Sequence, residues 1–530
     1  MKNTLERWEL GRRGMLAWLV ASLLAACAAP TQRQAHERPE GVVRLVVLHT
    51  NDIHGQVLPR KATWIDRQAP PLIGGLPRVA GYVNQVRREL EGSDSELLVL
   101  EGGDWYQGTP EGGLERGLPF VQALAAVDFD ALAIGNHEFD HSQENLLRLL
   151  DATDERAVCA NLRDPATGER VPWIEPWRIV ERGGLRIAVV GLITPETPSI
   201  SHSDTHKLLF VEPAAELATV KKELEGRCDL ILPLAHMGVE EALATAKAHP
   251  DLPLIVTGHS HTYLKEGRRD GAGLVVQTGA KASAVGRVEL EIDGPTATVT
   301  SIRAQLIDLL SEPDARDRNQ LVEAKCAELV ARAETDMKRV VGELAAPLKA
   351  GRGPLSTVAG NWVADLVRAR VGAEVGIHNR GGTRAEIDAG PVTVREIFEM
   401  LPFDNDVVLL EVRGRDLESV VRGAIEGTVH SGLDYSGLSV LVRSRVEDGV
   451  TRLSYVRTEI AGQPLDADRL YRVAVNSFLA GGGDGFKELA GSRRISQDPV
   501  LLRDLAEVAF ASAERITPPT DARILEEPKP

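Results

Sequence analysis

Short apolar runs with many β-branched residues recur along the first 310 residues, and each run ends in a polar cluster. They cover residues 42–48, 97–100, 131–134, 230–234 and 254–257. Near-continuous Val, Ile and Leu runs are typical of strands that are buried on both faces. Segments of helical periodicity, such as 75–90 and 119–127, lie between them. The pattern predicts an α/β domain over residues 42–310.

A second unit follows a long stretch of helical periodicity. Residues 319–344 are rich in Glu, Ala, Lys, Leu and Arg, which predicts a connecting helix within a linker at 311–344. Apolar runs at 392–394, 407–412 and 471–475 alternate with glycine-rich loops. We therefore expect a second α/β domain over residues 345–525, joined to the first by a helix.

The N-terminus has the features of an export signal. Residues 1–26 contain a basic segment, a short apolar core and small residues, a pattern typical of secretory signals. Leu24-Ala-Ala-Cys27 resembles the bacterial lipobox, which predicts a lipid on Cys27, a polar tether at 27–41 and attachment to a membrane. The absence of Asp after Cys27 favours the outer membrane in a cell with two membranes. An ordinary signal peptide and a twin-arginine signal at Arg12-Arg13 are the alternatives.

Composition argues against two classes of protein, those that bind nucleic-acid polymers and those held by a disulfide framework. The chain has 43% hydrophobic and 26% charged residues, which is ordinary for globular proteins. Its formal net charge of −16 argues against binding a nucleic-acid polymer, because that needs a broad basic surface. After Cys27 only Cys159, Cys228 and Cys326 remain, widely spaced, so buried free thiols are expected rather than a disulfide framework.

The polar clusters at the strand ends form a candidate metal site. Its members are Asp52, His54, Asp104, Asn136, His236, His259 and His261. Ligands of open α/β sheets collect at the carboxyl ends of the strands, and imidazole and carboxylate hold Zn²⁺, Mn²⁺ or Fe. Seven groups are too many for one tetrahedral site, so we predict two metals bridged by Asp104. A single such residue is most often an ordinary turn residue, and the prediction depends on the set.

Two metals explain why an Asn and a His follow the strand at 131–134. Metals about 3.5–4 Å apart can activate a water and clamp a phosphoryl group. Asn136 supplies an amide oxygen that adds no charge to repel phosphate. His137 is predicted to donate to the developing charge, while Asp140 accepts its other N–H and orients the ring. Five histidines outside this set, at 49, 141, 202, 206 and 249, are expected to be solvated.

The second domain carries candidate substrate residues. They are Asn379, Arg380, Arg384, Phe403, Phe478 and Asp484. A Phe in a loop usually anchors the loop, but two in an aromatic-poor chain could sandwich a base. The two Arg residues would grip phosphate or ribose oxygens, the Asn would bind base or ribose, and the Asp would take ribose hydroxyls.

The motifs resemble those of the calcineurin-like metallophosphoesterases. They read Thr50-Asn-Asp-Ile-His-Gly55, Gly102-Gly-Asp104, Gly135-Asn-His-Glu-Phe-Asp140 and Gly258-His-Ser-His261. The chain after the tether resembles the exported 5′-nucleotidase family, which implies a four-layer α/β sandwich followed by a nucleotide-binding domain. The resemblance assigns Asp52, His54, Asp104 and His261 to one metal, and Asp104, Asn136, His236 and His259 to the other. It places His137 and Asp140 on the catalytic dyad.

The resemblance extends to the second domain with one departure. Asn379, Gly381, Gly382 and Arg384 match the family's Asn-x-Gly-Gly-x-Arg loop, while the two Phe residues and Asp484 match its base and ribose contacts. Arg352 stands one residue early for the family's other phosphate-side arginine, and Ser356 replaces its Glu. Arg380 is a hypothetical replacement for that arginine.

Together these features predict an exported 5′-nucleotidase with two divalent ions, Zn, Mn or Co. Nucleoside 5′-monophosphates are the expected substrates, with UDP-sugars and nucleoside di- and triphosphates as a wider range. The alternative within the fold is a 2′,3′-cyclic nucleotide 2′-phosphodiesterase/3′-nucleotidase. A sulfur-substrate relative is disfavoured because small sulfur groups give the Phe pair nothing to stack on. A surface metal-binding protein without catalysis is disfavoured because ligands and dyad are complete.

Overall fold

The computed structural model describes residues 37–527 except 63, 67, 202, 352–355, 430 and 448–449. The predicted signal, Cys27 and most of the tether lie outside the described residues, as do His202 and Arg352. Among the helices that are described, none is long and apolar enough to span a bilayer. Cys159, Cys228 and Cys326 are free, and two of them are buried, as expected.

Two sheets form the centre of the N-terminal domain. The first contains, in spatial order, Thr298–Asp308, Ala284–Asp293, Val42–Thr50, Ser95–Glu101, Ala131–Ala133 and Ala157–Val158. The second contains Leu274–Val276, Leu254–Thr257, Leu230–His236, Leu185–Ile193 and Trp177–Arg182. Their inner faces share one buried cluster, in which Val47 and Leu98 of the first sheet pack with Val189 and Leu232 of the second. The sheets therefore face each other.

Helices cover the outer faces of both sheets. On the first sheet lie Leu76–Glu89, Leu118–Ala125 and Gln143–Asp151, and on the second lie Pro213–Glu223 and Val239–Ala248. The helix at 76–89 buries Leu76, Val79, Val83 and Val86, a spacing that places one apolar face on the sheet. The order helix, sheet, sheet, helix confirms the expected α/β sandwich.

The connecting helix is shorter than predicted. It spans Gln320–Met337 and packs on the N-terminal domain through Val322, Cys326 and Leu329. The predicted helix end at residue 344 is wrong, because Val340–Leu344 is a strand paired antiparallel with Gly390–Thr393. Two successive β-branched residues and Gly342 are poor helix formers, and the neighbouring strand satisfies their backbone groups.

The C-terminal domain is a second α/β unit. Its five-stranded sheet contains Leu433–Ser436, Val375–Asn379, Leu470–Asn476, Asp406–Arg413 and Arg493–Leu501 in spatial order. One face packs on Val358–Val371, Val394–Met400 and Leu502–Ser512. The other packs on Gly414–Glu426, Lys487–Ala490 and the four-stranded sheet of Gln463–Pro464, Val450–Ile460, Leu438–Glu447 and Ile524–Glu526. The predicted α/β class is confirmed for this half too.

The loops contain short elements, and three of the helical turns lie where the domains meet. Short strands lie at Arg60–Lys61, Leu72–Ile73, Leu162–Arg163 and Leu209–Phe210. Short helical turns lie at Pro110–Gly113, Leu114–Gly117, Asn136–Phe139, Thr197–Ile200, Ser203–Lys207, Arg380–Gly382, Ser477–Ala480 and Gly483–Gly485. Thr197–Ile200 contacts Gly483–Gly485, and Val394–Met400 contacts Pro110–Gly113. A cavity of about 870 Å³ lies between the domains.

Candidate metal centre and substrate cavity

The structure brings the seven predicted metal ligands together at the carboxyl ends of the N-terminal strands. The ligand atoms of Asp52, His54, Asp104 and His261 lie within 4.8 Å of one another, as do those of Asp104, His236 and His259. The amide oxygen of Asn136 lies 3.0 Å from Nδ1 of His259. Asp104 belongs to both groups, which is the position expected of a bridging carboxylate.

The ligands stand on tightly turned backbone. Five of them have left-handed φ angles: Asp52 (52°), His54 (51°), Asp104 (61°), His259 (77°) and His261 (52°). This conformation is unfavourable for residues with a Cβ, and it persists where the surroundings fix it. The adjoining loops approach closely, since a Cβ on Gly135 would lie 2.3 Å from Oδ1 of Asp104. The glycines of the motifs therefore let the ligand loops pack against each other.

Backbone carbonyls fix the orientation of two imidazoles. Nδ1 of His54 lies 2.8 Å from the carbonyl of Gln107, and Nδ1 of His236 lies 2.8 Å from that of Gly102. Because a carbonyl only accepts, each Nδ1 carries the proton, and Nε2 is directed to the centre. Such an arrangement of imidazole and carboxylate donors is what a divalent metal requires.

Burial and charge also fit a bound cation. Burial, with a contribution from His261, holds the pKa of His54 well below its usual value, and burial lowers the pKa of His259 to about 3. These rings are therefore neutral, the form that binds metal. Burial alone would lower the pKa of His236, but Asp104 and Asp52 raise it to about 10. The buried Asp104 and Asp52 carboxylates therefore favour positive charge at this place, so the site fits a cation.

Two residues that the sequence analysis did not single out support the ligands. The buried carboxylate of Glu138 accepts the backbone N–H groups of Gly135 (2.7 Å), Asp104 (3.0 Å) and Trp105 (2.8 Å). It thereby joins two ligand loops. Asn51 donates to Oδ2 of Asp52 at 2.6 Å and orients that carboxylate. The sequence offered one signal for Glu138: an acidic residue in a turn that is otherwise buried. A buried carboxylate needs hydrogen-bond donors.

His137 and Asp140 form the predicted pair. Nδ1 of His137 lies 2.7 Å from Oδ2 of Asp140, and Nε2 lies 3.9 Å from Oδ2 of Asp104. Burial alone would lower the pKa of His137, but the carboxylates of Asp140 and Asp104 outweigh it and raise the pKa. The two carboxylates therefore favour the protonated form of this ring, which lies at the edge of the metal centre.

The C-terminal domain places most of its candidate residues on the opposite wall of the cavity. The candidates that line it are Asn379, Arg384, Phe403, Phe478 and Asp484. The guanidinium of Arg384 reaches within 3.4 Å of Nε2 of His54, across the domain boundary. The ring of Phe403 stacks on His137 with centroids 5.6 Å apart and planes at 23°.

Asn379 also has a supporting position. Its Nδ2 donates to Oδ2 of Asp484 at 2.9 Å, and its Oδ1 accepts from Asn476 at 2.8 Å. Since both ends of the amide are engaged, the side chain holds the Asp484 carboxylate at the cavity wall. The direct base or ribose contact that the sequence suggested stays a prediction, since Asn379 also lines the cavity.

Arg380 departs from its predicted place. It is not among the residues that line the cavity in the described part of the chain. Its guanidinium lies 3.4 Å from the buried carboxylate of Asp434 and donates to the Leu433 carbonyl at 3.1 Å. In this arrangement Arg380 serves a buried carboxylate, which needs a cationic partner. Its predicted substrate contact stays a prediction.

Two of the histidines that were expected to be solvated are not. His49 is buried, and its ring packs so closely on Gly286 that a Cβ there would lie 1.9 Å from Nε2. Burial lowers its pKa to about 3, so it is a neutral core residue. His141 lines the cavity and stacks on Tyr106, with ring centroids 6.1 Å apart.

Comparison with known proteins accounts for both domains. The calcineurin-like phosphoesterase family matches residues 45–263, and the 5′-nucleotidase C-terminal domain matches residues 340–491. The chain is 27% identical over 522 residues to a 5′-nucleotidase of Vibrio cholerae, covering 89% of this chain and 90% of that protein. It is 26% identical over 538 residues to protein UshA of Escherichia coli, covering 91% and 92%.

A solved structure agrees with these relatives. The 5′-nucleotidase precursor of Thermus thermophilus superposes with a TM-score of 0.78 at 25% identity, over 92% of this chain and all of that one. The two domain families occur in the same order as the two α/β units, and the buried Asp/His cluster lies in the phosphoesterase half. The chain is therefore a metal-dependent phosphoester hydrolase of the 5′-nucleotidase family, with a calcineurin-like phosphoesterase domain and a 5′-nucleotidase C-terminal domain.

Proposed function

We propose that this protein is an exported enzyme that hydrolyses nucleoside 5′-monophosphates to nucleoside and phosphate. The observation that carries the proposal is the composition of the cavity. One wall is a cluster of buried carboxylates and imidazoles, and the other presents Arg384, Phe403 and Phe478. The first wall suits a phosphate ester and the second an aromatic base, so both ends of a nucleotide have partners.

The metal ligands would be those predicted from the sequence. One ion would be held by Asp52, His54, Asp104 and His261, and the other by Asp104, Asn136, His236 and His259. Divalent ions in this position supply an activated water and neutralise charge on the phosphoryl group. Zn, Mn and Co all suit this donor set.

The protein's own residues then act on the phosphate. His137, protonated and oriented by Asp140, donates from Nε2 to the charge that develops on the phosphoryl oxygens. Arg384 lies beside His54 and binds the same oxygens from the side of the C-terminal domain. Phe403 covers His137 and excludes water from this donor.

The nucleoside would lie against the C-terminal domain. Stacking on Phe403 and Phe478 holds the base, and Asp484 accepts from the ribose hydroxyls while Asn379 fixes that carboxylate. A cavity of about 870 Å³ also has room for groups beyond a monophosphate. UDP-sugars and nucleoside di- and triphosphates are therefore included in the proposed range.

Export and anchoring complete the proposal. The signal at residues 1–26 and the lipid on Cys27 would tether a domain of residues 42–310 and a nucleotide-binding domain of residues 345–525 to the outer membrane, facing away from the cytoplasm.

The first test is phosphate release from AMP, UDP-glucose, 2′,3′-cyclic AMP and 3′-AMP, with each metal and after EDTA. AMP turnover that EDTA abolishes and metal restores is the expected result. Turnover of only the cyclic or 3′ substrates would contradict it and assign the chain to the phosphodiesterase alternative. If protein with two bound metals hydrolyses none of the four compounds, the proposed substrate class is wrong.

The dyad has its own test. His137→Ala should lower kcat by about 10²–10⁴-fold, the usual contribution of a positioned proton donor, while metal content stays at the wild-type value. The control is His249→Ala, whose ring bonds the Ala214 carbonyl away from the cavity. Full activity of His137→Ala would remove the assignment.

A further inference from the structure

An ion pair joins the two domains. Glu111, on the turn Pro110–Gly113, accepts two hydrogen bonds from Arg395, on the helix Val394–Met400, at 2.6 and 2.9 Å. The Glu111 side chain is 2% exposed and that of Arg395 is 22% exposed. Paired, parallel bonds between guanidinium and carboxylate fix direction as well as distance, so the pair sets how one domain lies on the other.

On the N-terminal side, the turn that carries Glu111 continues from the loop that holds a metal ligand. The carbonyl of Gln107 accepts from Nδ1 of His54 at 2.8 Å. The hydroxyl of Thr109 donates to the carbonyl of Gly55 at 2.6 Å, next to that ligand. Glu111 lies two residues further on, so its position is tied to the metal centre through short backbone links.

On the C-terminal side, the helix that carries Arg395 supports two substrate residues. At its end, the carbonyl of Met400 accepts the backbone N–H of Arg384 at 2.9 Å. Phe403 follows three residues later and stacks on His137. Any displacement of this helix relative to the Pro110–Gly113 turn would therefore move both Arg384 and Phe403 away from the metal centre.

We propose that Glu111 and Arg395 are positioning residues that hold the substrate-binding wall of the cavity against the metal centre. The inference rests on the proposed function and adds to it the residues that align the two halves of the site. Without Arg395, the Glu111 carboxylate would be buried without a cation, which is unfavourable. If the domains separate, the Glu111 carboxylate is hydrated again. Loss of Arg395 would therefore shift the equilibrium from the conformation with both cavity walls in place towards one with separated domains.

The experiment uses the full-length, metal-loaded enzyme carrying Arg395→Met, with AMP and with bis(p-nitrophenyl) phosphate as substrates. The second substrate has no nucleoside, so of the C-terminal wall it uses the phosphate-side residues Arg384 and Phe403 but makes no base or ribose contact. We expect kcat/KM for AMP to fall roughly 10- to 100-fold, as for an active site misplaced by about 1 Å, and the loss on the generic substrate to be clearly smaller, because that substrate has no nucleoside contacts to lose. Arg395→Lys should recover part of the loss, since it keeps the charge and loses the paired bonds.

The matched control is Lys349→Met, which removes an exposed cation from its pair with Glu386 inside the C-terminal domain. It should leave both substrates unchanged. If Arg395→Met destabilises the fold, Glu111→Gln replaces it, because that change is nearly isosteric and leaves no buried unpaired anion. An unchanged kcat/KM for AMP, or an equal loss on both substrates, would overturn the positioning role.

Small-angle X-ray scattering separates this proposal from the proposed function. The radius of gyration of Arg395→Met should exceed that of the wild type, because the domains no longer share the pair. If wild-type protein does not hydrolyse AMP, the proposed function fails and the scattering still decides the role of the pair. A variant with the wild-type radius in that case would overturn it.

Discussion

Glu138→Gln is the most informative single change at the metal centre. In the wild type, one carboxylate oxygen accepts from Asp104 and Gly135, and the other accepts from Trp105. An amide has only one accepting oxygen, so at best it keeps the pair of bonds and presents its NH₂ to the N–H of Trp105. One bond to a charged acceptor is then lost, which is worth about 1.5–3 kcal/mol.

Part of that loss is offset by the removal of a buried charge. Burial raises the pKa of Glu138 to about 7, against the hydrogen bonds from Trp105 and Gly135. Protonation would turn one of the two oxygens into an O–H that faces an N–H group, so the three hydrogen bonds favour the ionised form. Combining the two effects, we expect the free energy of unfolding to fall by about 1–2 kcal/mol.

Activity should fall further than stability in this variant. Because Asp104 is one of the three groups held, its carboxylate should shift and kcat/KM for AMP should fall at least about tenfold. Urea unfolding and steady-state kinetics measure the two effects, and Glu144→Gln, exposed on the next helix, is the control. Wild-type values for both quantities in Glu138→Gln would refute the argument that this carboxylate holds the two loops.

Other predictions follow from single contacts. Phe478→Ala should raise KM for AMP by about 5- to 150-fold with little change in kcat, since base stacking is worth about 1–3 kcal/mol; an unchanged KM would show that Phe478 does not contact the base. Chelation should lower Tm, because one ion at about 100 times its Kd adds about 2.7 kcal/mol to the folded state; calorimetry with and without EDTA measures this. Burial alone would raise the pKa of Asp229, but Arg186 and Arg38 hold it well below its usual value. The ionised pair therefore stabilises the fold above about pH 4 and is lost as pH falls further, so the stability difference between wild type and Asp229→Asn should shrink only below that pH. Urea unfolding between pH 3 and pH 7 tests it, and a constant difference would contradict it.

The sequence was sufficient for the parts of the fold where one physical requirement dominates. A strand buried on both faces must be apolar, and a metal ligand must be polar, so the change from one to the other marks the strand end. That change located Asp52, Asp104 and His236 correctly at one edge of the sheets. The same reasoning missed the strand Leu185–Ile193, whose end carries no metal ligand.

Residues whose position depends on a distant partner could not be placed from sequence. Arg380 is drawn to Asp434, 54 residues away, and no local pattern reveals that carboxylate. The connecting helix ends at Met337 because residues 340–344 pair with a strand 50 residues later. Glu111 and Arg395 are 284 residues apart and neither belongs to a motif. In each case a tertiary contact determines where the residue or element lies, and one amino-acid sequence does not reveal contacts between distant residues.

The left-handed backbone at five metal ligands has a consequence for anyone who engineers this protein. Each such residue lowers the free energy of unfolding by roughly 1–2 kcal/mol relative to ordinary backbone. The total for the five is about 5–10 kcal/mol, over Asp52, His54, Asp104, His259 and His261. That total is comparable to the net stability of a whole domain. Glycine accepts the same angles freely. A directed-evolution screen for heat resistance alone would therefore enrich glycine at the ligand positions and yield thermostable proteins without activity. Selection from such libraries must include enzyme turnover.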